Sequence, residues 1–291
     1  MEVARPGART AVLTAIALVA FAANSVLCRL ALGEGAIDAA SFTTFRLGSG
    51  AVALWILRSL IRGPGAPRSG LAWLGASMLF LYAVAFSFAY LSLGAGTGAL
   101  ILFASVQLTM ILAGLRAGER PHFREAVGLL LALGGLVYLV WPGLTAPSLA
   151  GSTLMTAAGI AWGVYSLRGR GTTDPLAATA DSFVRAVPFV LITSLVFLPS
   201  RRWSAEGVGL AMLSGAGTSG LGYVIWYAAL QGLTATRAAI VQLAVPVLAA
   251  AGGVVFLSEP LSLRLLASAI AILGGVALAV RGRAVSLPRA T

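Results

Sequence analysis

The sequence predicts an all-α membrane protein of ten transmembrane helices, built as two inverted five-helix repeats with both termini on the cytoplasmic side. Three observations predict it. Hydrophobic residues fill 59% of the 291 positions and charged residues 10%, against roughly 45–50% and about 25% in an average soluble protein. Apolar runs long enough to cross a hydrocarbon core of about 30 Å recur along the whole chain. The second half of the sequence also repeats the first at a fixed offset.

The predicted spans are 10–32, 39–61, 70–93, 97–115, 123–141, 151–168, 176–198, 207–230, 235–257 and 262–280. Arg5 and Arg9 precede the first, and Ala20-Phe21-Ala22 imitates a signal-peptide cleavage site. The run is nevertheless as long as a spanning helix, about 20 residues, so it is read as an uncleaved first helix. Between Arg68 and Arg116 lie 47 uncharged residues, enough for two spans joined by a turn at Gly94-Ala95-Gly96. Links such as Gly63-Pro64-Gly65 and Trp141-Pro142-Gly143 leave no room for a soluble domain. Pro188 and Pro246 fall inside the seventh and ninth spans, where a missing N–H permits a kink that can serve gating. Gly215, Gly217, Gly220 and Gly222 make the eighth span locally soft, while small residues such as Gly159 and Gly163 equally suit close helix packing.

Orientation follows from the basic residues, which collect in short cytoplasmic loops. With the N-terminus inside, inner segments hold thirteen arginines and outer loops only Arg201, Arg202 and Arg264, with Glu34 and Asp38 also outside. The expected location is a bacterial inner membrane, crossed many times.

All 20 basic residues are arginine. Without lysine there is no Walker A loop, Schiff base or lysine-bound pyridoxal cofactor. One cysteine, Cys28, and one histidine, His122, cannot supply a disulfide or a four-ligand zinc site, so neither cofactor nor metal is expected. The net charge of +11 is dispersed at the ends of apolar runs, which points to membrane topology and away from nucleic acid. An intramembrane serine protease would need a histidine in the membrane, and His122 lies in a predicted loop beside Pro121. Gly94-Ala95-Gly96-Thr97-Gly98 mimics a nucleotide fingerprint but joins two membrane helices, so it is read as a turn. The expectation is a transporter and not an enzyme; a passive channel is the remaining class, against which saturable exchange would argue.

An offset of 139 residues aligns Arg29 with Arg168, Arg46 with Arg185, Thr97 with Thr236, Pro121 with Pro260 and Gly135 with Gly274, with no gap. Five spans per repeat is an odd number, so the second copy, 147–291, enters the membrane from the side opposite to the first, 1–146. Inverted halves around a midplane site are the architecture of secondary transporters.

The chain resembles the drug/metabolite transporter superfamily in its ten-helix form, made of two EamA-type halves. The likeness is carried by Phe45-Arg46 and Val184-Arg185, by the junctions Gly118-Glu119-Arg120-Pro121 and Ser258-Glu259-Pro260, and by the pairs Gly134-Gly135 and Gly274-Gly275. Within that superfamily it looks most like the bacterial aromatic amino-acid exporters. The resemblance implies export of amino acids or related metabolites from the cytoplasm.

Candidate substrate contacts are polar and aromatic side chains at mid-helix depth, where facing lipid is costly. Tyr82 and Phe86 stand at i and i+4 in the third span, Trp162 lies in the sixth and Tyr223 in the eighth. They can wall a cavity for apolar or aromatic groups, or simply pack helices; Tyr90, Trp226 and Tyr227, nearer helix ends, suit packing or an interfacial belt. Asn24, Gln107 and Gln242 offer amides to either end of a zwitterion, or to neighbouring helices. Arg46 can meet a substrate carboxylate or cap carbonyls at a helix break. Asp181, four residues before Arg185, is expected to pair with it and is the one acid placed to relay a proton. Partners are therefore a small-molecule substrate and the bilayer; a monomer suffices for such a site.

Overall fold

A computed structural model describes residues 7–33, 35–62, 72–93, 95–119, 122–140, 148–257 and 263–281. The described residues are helical, apart from turns and one isolated antiparallel bridge between Ile37 and Trp203. The helices are α1 (Ala8–Gly33), α2 (Ala39–Arg62), α3 (Ala72–Ala89), α4 (Ala95–Arg116), α5 (Phe123–Val140), α6 (Leu149–Gly169) and α7 (Pro175–Val196). A short 3₁₀ turn, Leu198–Ser200, precedes α8 (Ala205–Leu213), a π-helical segment (Ser214–Leu221) and α9 (Gly222–Leu230). Then come α10 (Ala235–Gln242), α11 (Ala244–Leu257) and α12 (Leu263–Arg281).

Among the described residues, five stretches are long and apolar enough to cross a membrane: Ala8–Leu32, Ala39–Ile61, Pro175–Val196, Ala205–Leu230 and Ala235–Phe256. Three shorter apolar helices, Trp73–Ala89, Ile101–Arg116 and Leu266–Ala279, accompany them. Large apolar side chains such as Trp55, Leu60, Leu130 and Ile270 point outward, as the lipid-facing side of a bundle requires.

Two of the expected soft points are real interruptions. The glycines of the eighth span lie in or beside the π-helical segment, which divides that span between Leu213 and Gly222. The ninth span breaks at Leu243, between α10 and α11. Pro246 explains the break, since it has no N–H to offer the carbonyl of Gln242, four residues earlier, and its ring crowds that carbonyl. Pro188, by contrast, leaves α7 continuous from Pro175 to Val196 and lies on its exposed side. Ala95 and Gly96, expected in a turn, already belong to α4. Gly94, both loop sequences Gly63-Pro64-Gly65 and Trp141-Pro142-Gly143, Arg120-Pro121 and Ser258-Glu259-Pro260 lie outside the described residues.

The packing mirrors the 139-residue offset. α1 lies against α9 and α11 as α6 lies against α3 and α4, and α2 rests on the π-helical segment as α7 rests on α3. The pairs α2–α7, α4–α10 and α5–α12 each join an element to its own counterpart. At the α5–α12 crossing the backbones touch: a Cβ on Gly128 would sit 2.5 Å from the carbonyl oxygen of Gly275, and one on Gly275 2.5 Å from that of Gly128. Only glycine allows that approach. The core between these pairs holds Phe42, Phe86, Tyr165, Phe183, Tyr223 and Trp226, all buried.

Several hydroxyls are spent within their own helices. Thr14, Thr43, Ser87, Ser105, Thr109, Thr179 and Ser182 each donate to the carbonyl four residues back. That bond satisfies the hydroxyl locally.

Candidate functional site

Where α1, α3, α4, α6, α9, α10 and α11 converge, a central cavity of about 30 Å³ is lined by Phe21, Asn24, Ser25, Tyr82, Phe86, Leu102, Phe103, Trp162, Tyr223, Gln242 and Val245. Six of the eight sequence-derived contacts, Asn24, Tyr82, Phe86, Trp162, Tyr223 and Gln242, meet there. Such a volume holds little more than a water molecule. A substrate of amino-acid size enters only if the aromatic wall parts.

Trp162 is the hub of that wall. Its ring centroid lies 4.7 Å from that of Tyr223, 5.0 Å from Tyr82, 5.1 Å from Phe21 and 5.7 Å from Tyr165. The helical spacing of Tyr82 and Phe86 produces the expected stripe, with centroids 5.5 Å apart. The indole Nε1 of Trp162 donates to Oε1 of Gln242 at 2.7 Å, and Nε2 of Gln242 donates to the carbonyl of Ala238 at 3.0 Å. The amide of Gln242 is therefore engaged in holding Trp162, on a helix that ends where Pro246 interrupts it.

Asn24 accepts from Ser214 Oγ at 2.6 Å and Thr218 Oγ1 at 3.3 Å, both from the π-helical segment. Gln107 lies away from the cavity and donates to the carbonyl of Ala239 at 2.8 Å, while its own Oε1 has no partner. That places it at the α4–α10 contact.

Arg46 stands behind the wall and not in it. It is fully buried, donating from Nε to Ser219 Oγ at 2.9 Å and from Nη2 to the Tyr223 hydroxyl at 2.8 Å. Its guanidinium carbon lies 5.4 Å from the Tyr82 ring centroid and 5.9 Å from that of Phe86. Among the described residues no carboxylate pairs with it, and Nη1 lacks a hydrogen-bond partner. Two hydrogen bonds and two π faces replace the water that a buried charge gives up. The π-helical segment makes this possible, since it brings Ser219 to Arg46 and packs Gly215 against the Arg46 carbonyl, where a side chain has no room.

The expected Asp181–Arg185 pair does not form. Asp181 accepts from Nη1 of Arg58 on α2 at 2.7 Å, whereas Arg185 is half-buried with its guanidinium over the Trp73 ring, 5.1 Å from the centroid. The i, i+4 rule sees only one helix; the α2–α7 contact supplies a nearer cation. At the positions corresponding to Ser219 and Tyr223 the first half carries Phe80 and Val84. Neither has a hydroxyl, so the surroundings of Arg46 are not repeated for Arg185.

A second group of charges lies at the bundle end where α2, α4 and α6 finish. The described ion pairs each join the two halves there: Arg58 with Asp181, Arg170 with Glu119 at 3.2 Å, and Arg237 with Glu125 at 3.2 Å. Glu119 is aimed by the turn that closes α4. Gly118 takes φ +82° and donates to the carbonyl of Leu115, while Glu119 N donates to that of Gly114; this is the left-handed glycine ending that a helix commonly uses. The Glu119 carboxylate then accepts from the N–H groups of Ala235 and Thr236 at 2.9 and 3.1 Å. Burial pushes its pKa up, but those N–H groups, the Thr236 hydroxyl and Arg170 outweigh it and hold the carboxyl below its ordinary value. Across the 139-residue offset, Arg58, Asp181, Glu119, Arg170, Glu125 and Arg237 correspond to Phe197, Phe42, Ser258, Ala31, Arg264 and Gly98. None of the three pairs can recur at the other end.

Phe21 is the lining residue that periodicity does not mark, being one apolar residue in an apolar helix; it also touches Tyr223 and Trp226, at 5.8 and 5.6 Å. Trp226 and Tyr227 are buried and bonded to Ser166 Oγ and the Tyr165 carbonyl, so they pack helices instead of forming a belt.

The chain matches the model of the EamA-like transporter family twice, over residues 8–141 and 149–281. It is 53% identical to an uncharacterised protein of Pseudomonas aeruginosa, over 96% of either chain. It is also 28% identical to an uncharacterised transporter of Archaeoglobus fulgidus, over 83% of this chain and 87% of that one. A solved crystal structure at 22% identity covers 92% of this chain and 99% of its own with a TM-score of 0.77, a likeness of fold.

Proposed function

This chain belongs to the EamA-like transporter family and is a multi-pass membrane transporter, and from that premise we propose that it exports neutral and aromatic amino acids with broad selectivity. In this proposal the chain has ten spans with both termini cytoplasmic, halves 1–146 and 147–291, lies in a bacterial inner membrane, and is akin to the aromatic amino-acid exporters. The observation that carries it is the cavity itself: Tyr82, Phe86, Trp162 and Tyr223 present π faces from both halves, and the charge nearest to them is a buried arginine with no acid beside it among the described residues.

That chemistry selects. Aromatic walls favour apolar and aromatic side chains and tolerate differences of a methylene, worth about 1–3 kcal/mol. Arg46 supplies a full positive charge for an α-carboxylate once the Tyr82 and Phe86 rings move aside. A cationic drug gains nothing from such a site, and two phosphates would want several cations.

Alternating access gives the charged end its role. With that end cytoplasmic, its three ion pairs hold the inner side shut in this conformation, and cytoplasmic substrate loads when they part. Asp181, engaged by Arg58, is assigned to this closure, with Arg185 bracing α7 on Trp73. Pro246 and the π-helical segment are the places where helices give way.

The test is uptake into liposomes holding the purified chain, offered amino acids, nucleotide sugars and cationic drugs in parallel. Saturable transport of several neutral and aromatic amino acids supports the proposal. Transport of only phosphorylated compounds or only cations overturns it.

A further inference from the structure

A groove of about 410 Å³ runs between the beginning of α2 and the end of α7, far larger than the central cavity and away from it. Phe45, Leu191, Leu195 and Leu198 wall it, and Leu195 and Leu198 are 69% and 52% exposed. Thr44 and Ser194 close its polar floor, their hydroxyls 2.8 Å apart. Two opposite charges, Asp38 and Arg201, stand among its lining residues.

Both charges are held in place. The Asp38 carboxylate accepts from Arg202 N and Ser41 N, each at 2.9 Å. Burial raises its pKa, yet those N–H groups outweigh burial and keep it low, so the carboxylate is ionised at neutral pH. The Arg201 guanidinium lies over the Trp203 ring, 4.8 Å from its centroid. The Ile37–Trp203 bridge and the bond from Ser204 N to the Ala36 carbonyl tie the two loops together beneath them.

We infer that this groove binds one phospholipid with a zwitterionic, amine-bearing head group, its phosphate at Arg201, its ammonium at Asp38 and an acyl chain along Leu191, Leu195 and Phe45. Exposed apolar walls at a helix end lie where acyl chains meet head groups, and Trp203 is of the residue type enriched at that level. Charge complementarity chooses the head. Arg201 attracts phosphate, and Asp38 repels a purely anionic lipid while accepting hydrogen bonds from a primary ammonium. A quaternary choline has no proton to give Asp38. The inference rests on the chain spanning a bilayer and not on which substrate it carries.

Native mass spectrometry of the full chain in detergent tests it, with phosphatidylethanolamine, phosphatidylglycerol and phosphatidylcholine added in turn. One phosphatidylethanolamine should be retained about tenfold more strongly than either other lipid, a single good polar contact's worth. Asp38→Asn, which removes the charge that separates the three head groups, and the groove-filling Leu191→Trp should each abolish that preference, while Trp162→Ala keeps it. Equal retention of the three lipids, or an unchanged preference in both groove variants, overturns the inference. So does displacement of the lipid by phenylalanine, which would make the groove part of the substrate path; failure of amino-acid transport alone leaves the lipid result standing.

Discussion

The side-chain oxygen of Gln242 accepts the indole proton of Trp162 at 2.7 Å, which ties the centre of the aromatic wall to the last residue of α10, where Pro246 breaks the ninth span. A shift of α10 relative to α11 therefore moves Trp162. Gln242→Leu leaves a buried N–H unpaired, a loss of about 1–3 kcal/mol. We expect a lower melting temperature and a raised KM for tryptophan and phenylalanine, with Gln242→Glu restoring both in part because it keeps an acceptor. Unchanged melting and kinetics in Gln242→Leu would remove the tie from the mechanism.

Arg46 should matter according to the substrate's carboxylate. Arg46→Gln keeps a donor to Ser219 or Tyr223 but loses the charge, so competition by phenylalanine should fall at least about tenfold, the worth of one charge-assisted contact. Competition by phenylethylamine, which has no carboxylate, should stay weak in both forms. Equal losses for the two compounds would make Arg46 purely structural.

The inner closure can be tested by exchange. Arg58→Asp and Asp181→Arg should each impair export, and the double variant should recover it, because the pair is joined at 2.7 Å across α2 and α7 and a swap rebuilds it. Absence of recovery would mean that these residues act separately.

Glu119 sets a pH limit. Its pKa is held below the ordinary value of 4.5, so its contribution to the closed end is complete above that value and is lost only as pH falls through the lower folded value. Thermal stability of Glu119→Gln should fall short of the parent's at neutral pH and converge with it in acid. A gap that stays constant down to low pH would contradict the bonding described for this carboxylate.

Orientation is open to labelling in intact cells, with little background because Cys28 is buried. A cysteine at Ser200 should react with an impermeant maleimide and one at Gly171 should not. The reverse pattern would invert the topology and place the three ion pairs outside.

What can be read from the sequence follows from what periodicity records. Tyr82 and Phe86 share a face because helical geometry puts them there, and Asn24 stands out as an amide in an apolar run. Helical spacing points Asp181 to the wrong partner because Arg58 is 123 positions away and reaches it only through the packing of α2 on α7. The depth of Arg46 is legible but its seat is not, since that seat depends on a π-helical segment which the sequence marks only as a concentration of glycine. Pro246 signals its break plainly; Pro188 signals one that α7 does not make.

Everything proposed for the cavity comes together in one measurement, liposome uptake by the parent and Trp162→Ala across amino acids from alanine to tryptophan. Several neutral and aromatic amino acids should compete with one another in the parent, and the variant should show a loss that grows with side-chain size. Equal loss for every substrate would make Trp162 a packing residue, and transport of no amino acid at all would mean that the cavity does not serve amino-acid export.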